Sequence, residues 1–421
     1  MNNNRIYLCL AHMSEEGLEQ KYIKEAFDTN WVAPLGPNVD GFEKDLERFC
    51  ESKKRVVALS SGTAAIHLAL IACGVGPGDE VCVQSFTFCA SSHPVVYLGA
   101  TPVFIDSEKD TWNMDPDLLE LSIKDRIAKT GKKPKAIMPV SLFGMPYRID
   151  RIMEIANKYG IPVIEDAAEG LGSRYKGQVL GTFGRYGVLS FNGNKMITTS
   201  GGGALITPDD ASWREIMMYA TQYREGYPYY QHEKVGYNYR MSNICAGIGR
   251  GQMTVANDHV AHHRHVQKLY EDLLKDVPGI QVHSQPASGE WDSNYWLTTI
   301  VLDPSVRIKG QENAYKKVVK EAVGGAVGVI HIVDNPTTDC QPNDNVEALR
   351  VFLDHAGIEA RPLWKPMHKQ PVYKNAPAYL NGVSEAIFKM GMCLPTGPLV
   401  SDEDVHYIVD TIKSAIKREK L

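Results

Sequence analysis

The sequence predicts an α/β protein: a large domain whose mostly parallel sheet is flanked by helices, followed by a smaller α/β domain. Three observations carry this. Short β-branched runs alternate with helical stretches from about residue 55 to 205, and such alternation requires crossover connections that leave successive strands parallel. The rhythm changes beyond about residue 265. The length, 421 residues, favours one large domain plus a smaller one. We therefore divide the chain into 1–264, an N-terminal segment with the large domain, and 265–421, the small domain.

In order, Val56–Leu59 reads as a strand and Thr63–Cys73 as a helix. Val81–Val83 and Pro102–Ile105 are strands. Asp117–Ala128 is a helix opened by the Asp115–Pro116 pair. Ala136–Val140 is a strand, Ile149–Tyr159 a helix and Pro162–Glu165 a strand. Val188–Phe191 and Ala204–Ile206 are strands on either side of a glycine run. In the second part, Trp296–Leu302 is a strand and Val346–His355 a helix with Gly357 as its C-cap. A strand follows near Ile358–Arg361, and Asp402–Ile416 is the terminal helix. The stretch Pro304–Asn345, which mixes glycine-rich and polar segments, reads as an insertion or surface excursion.

Composition narrows the function. A net charge of −5 with no basic stripe argues against nucleic-acid binding. The N-terminus lacks the basic-then-apolar pattern of a signal peptide, and no run of 18 apolar residues suggests a membrane span. The eight cysteines are scattered without metal-like spacing, which fits the reducing cytoplasm and no metal site.

Three segments carry chemistry. In SSGTAAIHLAL, Ser60 to Leu70, a strand turns tightly into a helix. The free N–H groups of Gly62 and Thr63 and the Thr63 hydroxyl would hold a phosphate; the alternative is a plain Ser/Thr cap. In VIEDAAEGLGS, Asp166 and Glu169 follow a buried strand, where ligands of open α/β sheets bind. An Asp there can keep a heterocyclic nitrogen protonated, or both carboxylates can simply cap the next helix. In GVLSFNGNKMITTSGGGALI, Lys195 lies in a small, polar loop, where a lysine held at a site can attack an aldehyde. Its alternative is a turn lysine beside a flexible loop. Ser190 offers a second phosphate contact. Phosphate, ring nitrogen and aldehyde are the three handles of pyridoxal 5′-phosphate (PLP).

These segments, together with NWVAPLGPNVDGFE, QSFTFCA, ATPVFID, GYNYRMSNICAGIGRGQM, SNYWLT, RPLWKPMHKQPVY and CLPTGP, resemble the DegT/DnrJ/EryC1/StrS sugar aminotransferases over nearly the whole chain. The resemblance implies the fold-type I architecture of PLP enzymes, with a seven-stranded-type sheet. It is nearest to the bacterial branch that aminates UDP-2-acetamido-4-keto-2,4,6-trideoxyhexose at C4 for bacillosamine-type and exopolysaccharide pathways. It implies that Gly62, Thr63 and Ser190 hold the phosphate, Phe88 stacks on the ring, Asp166 pairs with its nitrogen and Glu169 lies beside its hydroxyl. Lys195 would be the Schiff-base lysine and the catalytic acid–base. Asn238 would reach the phosphate of a neighbouring subunit, making a homodimer with shared sites.

On the substrate side the resemblance points to Trp31, Tyr223, Arg224, His232, Lys365 and His368. Each has a structural alternative: Trp31 as a core or interface anchor, for instance, and His368 as a hydrogen-bonded structural residue. L-Glutamate is the implied amino donor and pyridoxamine 5′-phosphate the cofactor's amine form. Other outcomes are a different keto-sugar (C3, or GDP- or dTDP-linked), another PLP reaction, or a non-catalytic PLP-binding protein. Relatives in which His replaces the lysine act as dehydratases; Lys195 favours transamination. The family often has a shorter connection where Pro304–Asn345 stands. The cluster HVAHHRH, His259 to His265, reads as an exposed helix face because no carboxylate or cysteine completes a ligand set. A nicotinamide-type Rossmann turn is excluded, since the first strand–helix turn reads Ser-Ser-Gly-Thr.

Overall fold

The computed structural model describes residues 5–321, 330–334 and 340–417. Among these the large domain carries seven sheet strands: β1 Arg55–Leu59, β2 Glu80–Gln84, β3 Thr101–Ile105, β4 Ala136–Met138, β5 Ile164–Asp166, β6 Tyr186–Ser190 and β7 Gly203–Thr207. Their order in space is β1-β7-β6-β5-β4-β2-β3, with single parallel bridges from Ile137 to Val163 and from Val140 to Asp166 closing the middle. Only β7 runs antiparallel to its neighbours.

The strands are apolar throughout because helices cover both faces. The two-residue period then sorts their side chains. Val56, Ala58, Cys82, Val103 and Ile105 enter one core, and Val57, Leu59, Val81, Val83 and Phe104 the other.

The second sheet has the order β8 Ile280–Val282, β9 Thr298–Leu302, β12 Gly391–Leu394, β10 Arg361–Pro362, all antiparallel. Between them in sequence, β11 Ala378–Tyr379 crosses back and pairs parallel with β3 at the edge of the large sheet. Helix Ala256–Leu274 runs unbroken past residue 264. Its Val260 packs in the large core, whereas Val266, Tyr270 and Leu274 pack in the small one with Ile300, Leu349 and Ile408.

Several elements differ from expectation, each for a local reason. The strand expected over Ala136–Val140 ends at Met138, because Pro139 has no N–H to donate and Val140 N donates to Gln84 Oε1 instead (3.2 Å). The strand expected from Trp296 begins at Thr298; Tyr295 is left-handed (φ 47°) and Trp296 N is taken by Asn294 Oδ1 at 2.8 Å. Of Ile358–Arg361, only Arg361 joins a strand, while Ile358 bridges to Ile6 of the N-terminal segment. Within 304–345, Lys317–Glu321 and Ile330–Asp334 form an antiparallel pair; 322–329 and 335–339 lie outside the described residues.

The histidine cluster is an exposed face only at His265, whose Nε2 lies 2.7 Å from Asp402 Oδ1. His259 and His263 are buried, with Nδ1 atoms 3.1 Å from Met196 O and 3.2 Å from Tyr295 O, because their helix is covered on that side by the chain around it. Burial pulls His263 down to about 3, so it stays neutral. Among the described residues no three His, Cys, Asp or Glu side chains are placed to hold a metal.

Candidate active site

A cavity of about 420 Å³ opens at the carboxyl ends of β1, β5 and β6. At β1 the chain turns through Ser61, extended at φ −167°, whose Oγ accepts from Ala64 N at 3.0 Å and caps helix Gly62–Ala72. That cap takes the third N–H. The N–H groups of Gly62 and Thr63 have no intrahelical acceptor, and both residues line the cavity with Ser190.

β7 comes so close that a Cβ on Gly203 would lie 2.3 Å from Gly62 N and 2.4 Å from Ser61 C, both backbone atoms that cannot swing away. Gly203→Ala is therefore expected to displace the turn. Cofactor titration should show at least a tenfold weaker Kd, and thermal unfolding a loss of about 1–3 kcal/mol from overpacking.

Asp166 ends β5. Its Oδ2 accepts from Ser91 Oγ (2.6 Å) and its Oδ1 from Ala168 N (3.2 Å); Ser91 Oγ is 2.7 Å from Thr87 Oγ1. Glu169, one turn on, accepts from Phe143 N at Oε2 (2.7 Å) and from Lys195 Nζ at Oε1 (3.2 Å). Phe143 can aim its N–H there because its backbone is left-handed, φ 54°. Burial raises both carboxyl pKa values, against the pull of Lys195. Such a perturbed pair in a cleft marks a functional site.

Lys195 sits in the β6–β7 loop on a turn closed by its N–H to Asn192 O (2.9 Å). Its Nζ lies 4.0 Å from the centroid of the Trp296 ring. The exposed face of Phe88 forms part of the wall, 6.3 Å from Trp364.

The residues fit PLP. A phosphate would meet an open helix terminus backed by Ser190, a ring nitrogen would meet buried Asp166, and an aldehyde would meet Lys195, and all of these residues line the one cavity. A Cβ on Gly62 would crowd Ser190 Cβ at 3.2 Å, so glycine keeps the turn open beside Ser190.

The substrate-side candidates do not converge on this cavity within one chain. Lys365 lines an adjoining cavity with Phe88 and Trp364. His368 Nδ1 lies 2.7 Å from Ser85 Oγ, and burial lowers its pKa. Tyr223 is buried, its hydroxyl donating to Glu215 Oε2 at 2.9 Å. Arg224 stacks over Tyr230 at 4.7 Å, and His232 Nδ1 is 2.9 Å from Gln222 O. Trp31 is 41% exposed, with its carbonyl accepting from Asn243 Nδ2 (2.8 Å). Asn238 is exposed, one residue before Tyr239, whose carbonyl accepts from Ser60 N at 2.8 Å.

The model of the DegT/DnrJ/EryC1/StrS aminotransferase family matches residues 13–330 and 333–413. The chain belongs to this family. It is a PLP-dependent aminotransferase. Among relatives, it is 42% identical to EpsN of Bacillus subtilis (strain 168), which is named as a pyridoxal phosphate-dependent aminotransferase, over 97% of this chain and 95% of that one. It is 33% identical to a GDP-perosamine synthase of Escherichia coli O157:H7, over 96% and 98%. The crystal structure of a DegT DnrJ EryC1 StrS aminotransferase from Brucella abortus superposes with a TM-score of 0.79 at 28% identity, covering 95% of each chain.

For this DegT-family enzyme, four contributors escaped the sequence reading. Ser91 and Phe143 act on Asp166 and Glu169 from segments with no chemical signature. Trp296 lies in the quoted stretch SNYWLT but reads there as a strand residue. Asn294 ties its Nδ2 to Glu169 O (2.9 Å) and Leu171 O (2.8 Å); a buried Asn-Tyr-Trp beside a strand start was the available signal.

Proposed function

We propose that this enzyme transfers the amino group of L-glutamate to the C4 ketone of a UDP-linked 2-acetamido-4-keto-2,4,6-trideoxyhexose, as a cytoplasmic homodimer serving polysaccharide or glycan synthesis. One observation carries the catalytic part. Lys195 Nζ stands 3.2 Å from Glu169 in the cavity that Asp166 and the Gly62–Thr63 helix terminus also line. The sugar part is supported by the match of the SFNGNKMITTSGGG and RPLWKPMHKQPVY segments to that branch; a relative named GDP-perosamine synthase supports a nucleotide-linked sugar but not the choice of UDP. The dimer reading is supported by Asn238, which is exposed beside Tyr239, whose carbonyl accepts from Ser60 N.

Bound there, PLP supplies an aldehyde with which amines condense and a ring that absorbs negative charge. The rest is done by the chain. Gly62, Thr63 and Ser190 hold the phosphate. Asp166, kept in place by Ser91 and Ala168 N, holds a proton on the ring nitrogen. Phe88 fixes the ring plane. Lys195 Nζ would take the proton from Cα of the amino donor and deliver it to the former aldehyde carbon of the cofactor, two bonds away, as general base and then acid. Glu169, anchored by Phe143 N–H, holds the ammonium form of Lys195 between these steps. The same residues then act in reverse on the keto-sugar.

The test is to supply the loaded enzyme and L-glutamate with UDP-linked or GDP-linked 4-keto-6-deoxy sugar and weigh the products. An amino-sugar from the UDP substrate at least tenfold faster is expected. Amination confined to the GDP substrate overturns the sugar assignment, and it favours the reading suggested by the perosamine synthase relative.

A further inference from the structure

Trp296 lies far from Lys195 in sequence, yet its ring forms the floor beneath the lysine. The side chain is 1% exposed. Lys195 Nζ stands 4.0 Å above the ring centroid, within the range in which an ammonium is held by the electron-rich face of an indole. The indole N–H donates to Asn194 O at 2.8 Å, so the same side chain also grips the backbone next to Lys195.

The segment that delivers Trp296 is fixed from several sides. Asn294 Oδ1 accepts Trp296 N (2.8 Å), and Asn294 N donates to Ser173 Oγ (2.8 Å). Tyr295 holds a left-handed backbone at φ 47°, a conformation that a non-glycine residue keeps only when its surroundings impose it. A Cβ on Gly144 would fall 1.8 Å from Asn294 Oδ1, so the large domain leaves room for this turn and for little else.

We propose that Trp296 is a positioning residue for Lys195: its ring face seats the lysine's ammonium and its N–H anchors the loop that carries the lysine. Glu169 Oε1 accepts from the same Nζ at 3.2 Å, so the ammonium is held by both a carboxylate and an aromatic face. When Lys195 is not joined to the cofactor, it then rests at one place above the ring instead of sweeping the cavity. This rests on Lys195 being the reactive amine, but not on any choice of substrate.

The test uses cofactor-free enzyme and needs no turnover. Acetic anhydride acylates only the neutral amine, so the acylation rate of the Lys195 peptide, followed by mass spectrometry at neutral pH, reads how firmly the ammonium is seated. Trp296→Met fills space without a ring and is expected to speed acylation about 3–30-fold, the range a desolvated cation–π contact spans. Trp296→Phe keeps a ring and is expected to stay within about threefold of wild type. Circular dichroism shows which variants fold; Trp296→Leu replaces the Met variant if that one does not. A ring-less variant that is folded and acylates at the wild-type rate overturns the proposal. So does a Phe variant as fast as Met, which would assign the hold to the N–H alone. Loss of transamination with unchanged acylation would count against this seat while leaving the aminotransferase reading intact.

Discussion

Lys195→Ala is expected to lower transamination by at least about 10³-fold, because it removes both the amine that meets the aldehyde and the acid–base that moves the Cα proton. The structure offers no substitute. Among the described residues lining the cavity, Lys195 is the one lysine, and the neighbouring Lys365 lies in the adjoining cavity beyond Phe88 and Trp364. Binding of the cofactor should survive in weakened form, since the phosphate cradle at Gly62, Thr63 and Ser190 is untouched. Single-turnover assays with added amines separate the two effects. Partial rescue by a small primary amine would show that the missing group is the base and not the fold. The variant keeps Glu169 buried without its cation; that carboxyl, already raised by burial, is expected to take up a proton and remain folded.

Asp166→Asn should produce an opposite pair of effects: activity falls by about 10²-fold or more as the charge that keeps the ring nitrogen protonated is lost, while the cofactor-free protein gains stability at neutral pH. The sign follows from burial. The Asp166 carboxyl is held above its ordinary value, chiefly by desolvation. Below the ordinary carboxylate range both folded and unfolded chains carry the proton, and the group costs nothing. As pH rises through that range the unfolded chain ionises first, so stability falls until the folded pKa is passed. Asparagine removes this loss. Its side-chain oxygen still accepts Ala168 N, and its amide can donate to Ser91 Oγ. Thermal unfolding of the two cofactor-free proteins from about pH 3 to pH 8 should converge toward the acid end and separate by a few degrees at the neutral end. A variant less stable than wild type at pH 8 would contradict the burial argument.

Much of this was readable in the chain because chemistry and fold share the same markers. A parallel sheet buried on both faces writes its strands as apolar runs, and ligands bind where those runs end. Ser61–Thr63 lie just after β1, Asp166 ends β5 and Lys195 sits in the loop after β6, so strand position brought them to one edge. Residues that act from elsewhere carried no such marker. Phe143 contributes only a backbone N–H, Ser91 a hydroxyl like any other, and Trp296 arrives from beyond helix Ala256–Leu274. The histidines at 259 and 263 misled for a related reason: polar side chains on a helix suggest solvent, but one side of this helix is buried, and there backbone carbonyls at Met196 and Tyr295 each take one ring nitrogen. Arg224 and His232 make their contacts within their own segment, and Tyr223 is buried against Glu215 and Tyr219 of helix Asp210–Ala220; none of them, nor Asn238, lines the cavity that holds Lys195.

The most direct test of the central claim is to treat cofactor-loaded enzyme with borohydride, which makes permanent any bond between the cofactor's aldehyde and a lysine, and to map the modified peptide by mass spectrometry. The structure predicts one phosphopyridoxyl group per chain, on Lys195. A group fixed to any other lysine, or none fixed to a fully loaded enzyme, would contradict the assignment of this cavity as the catalytic site.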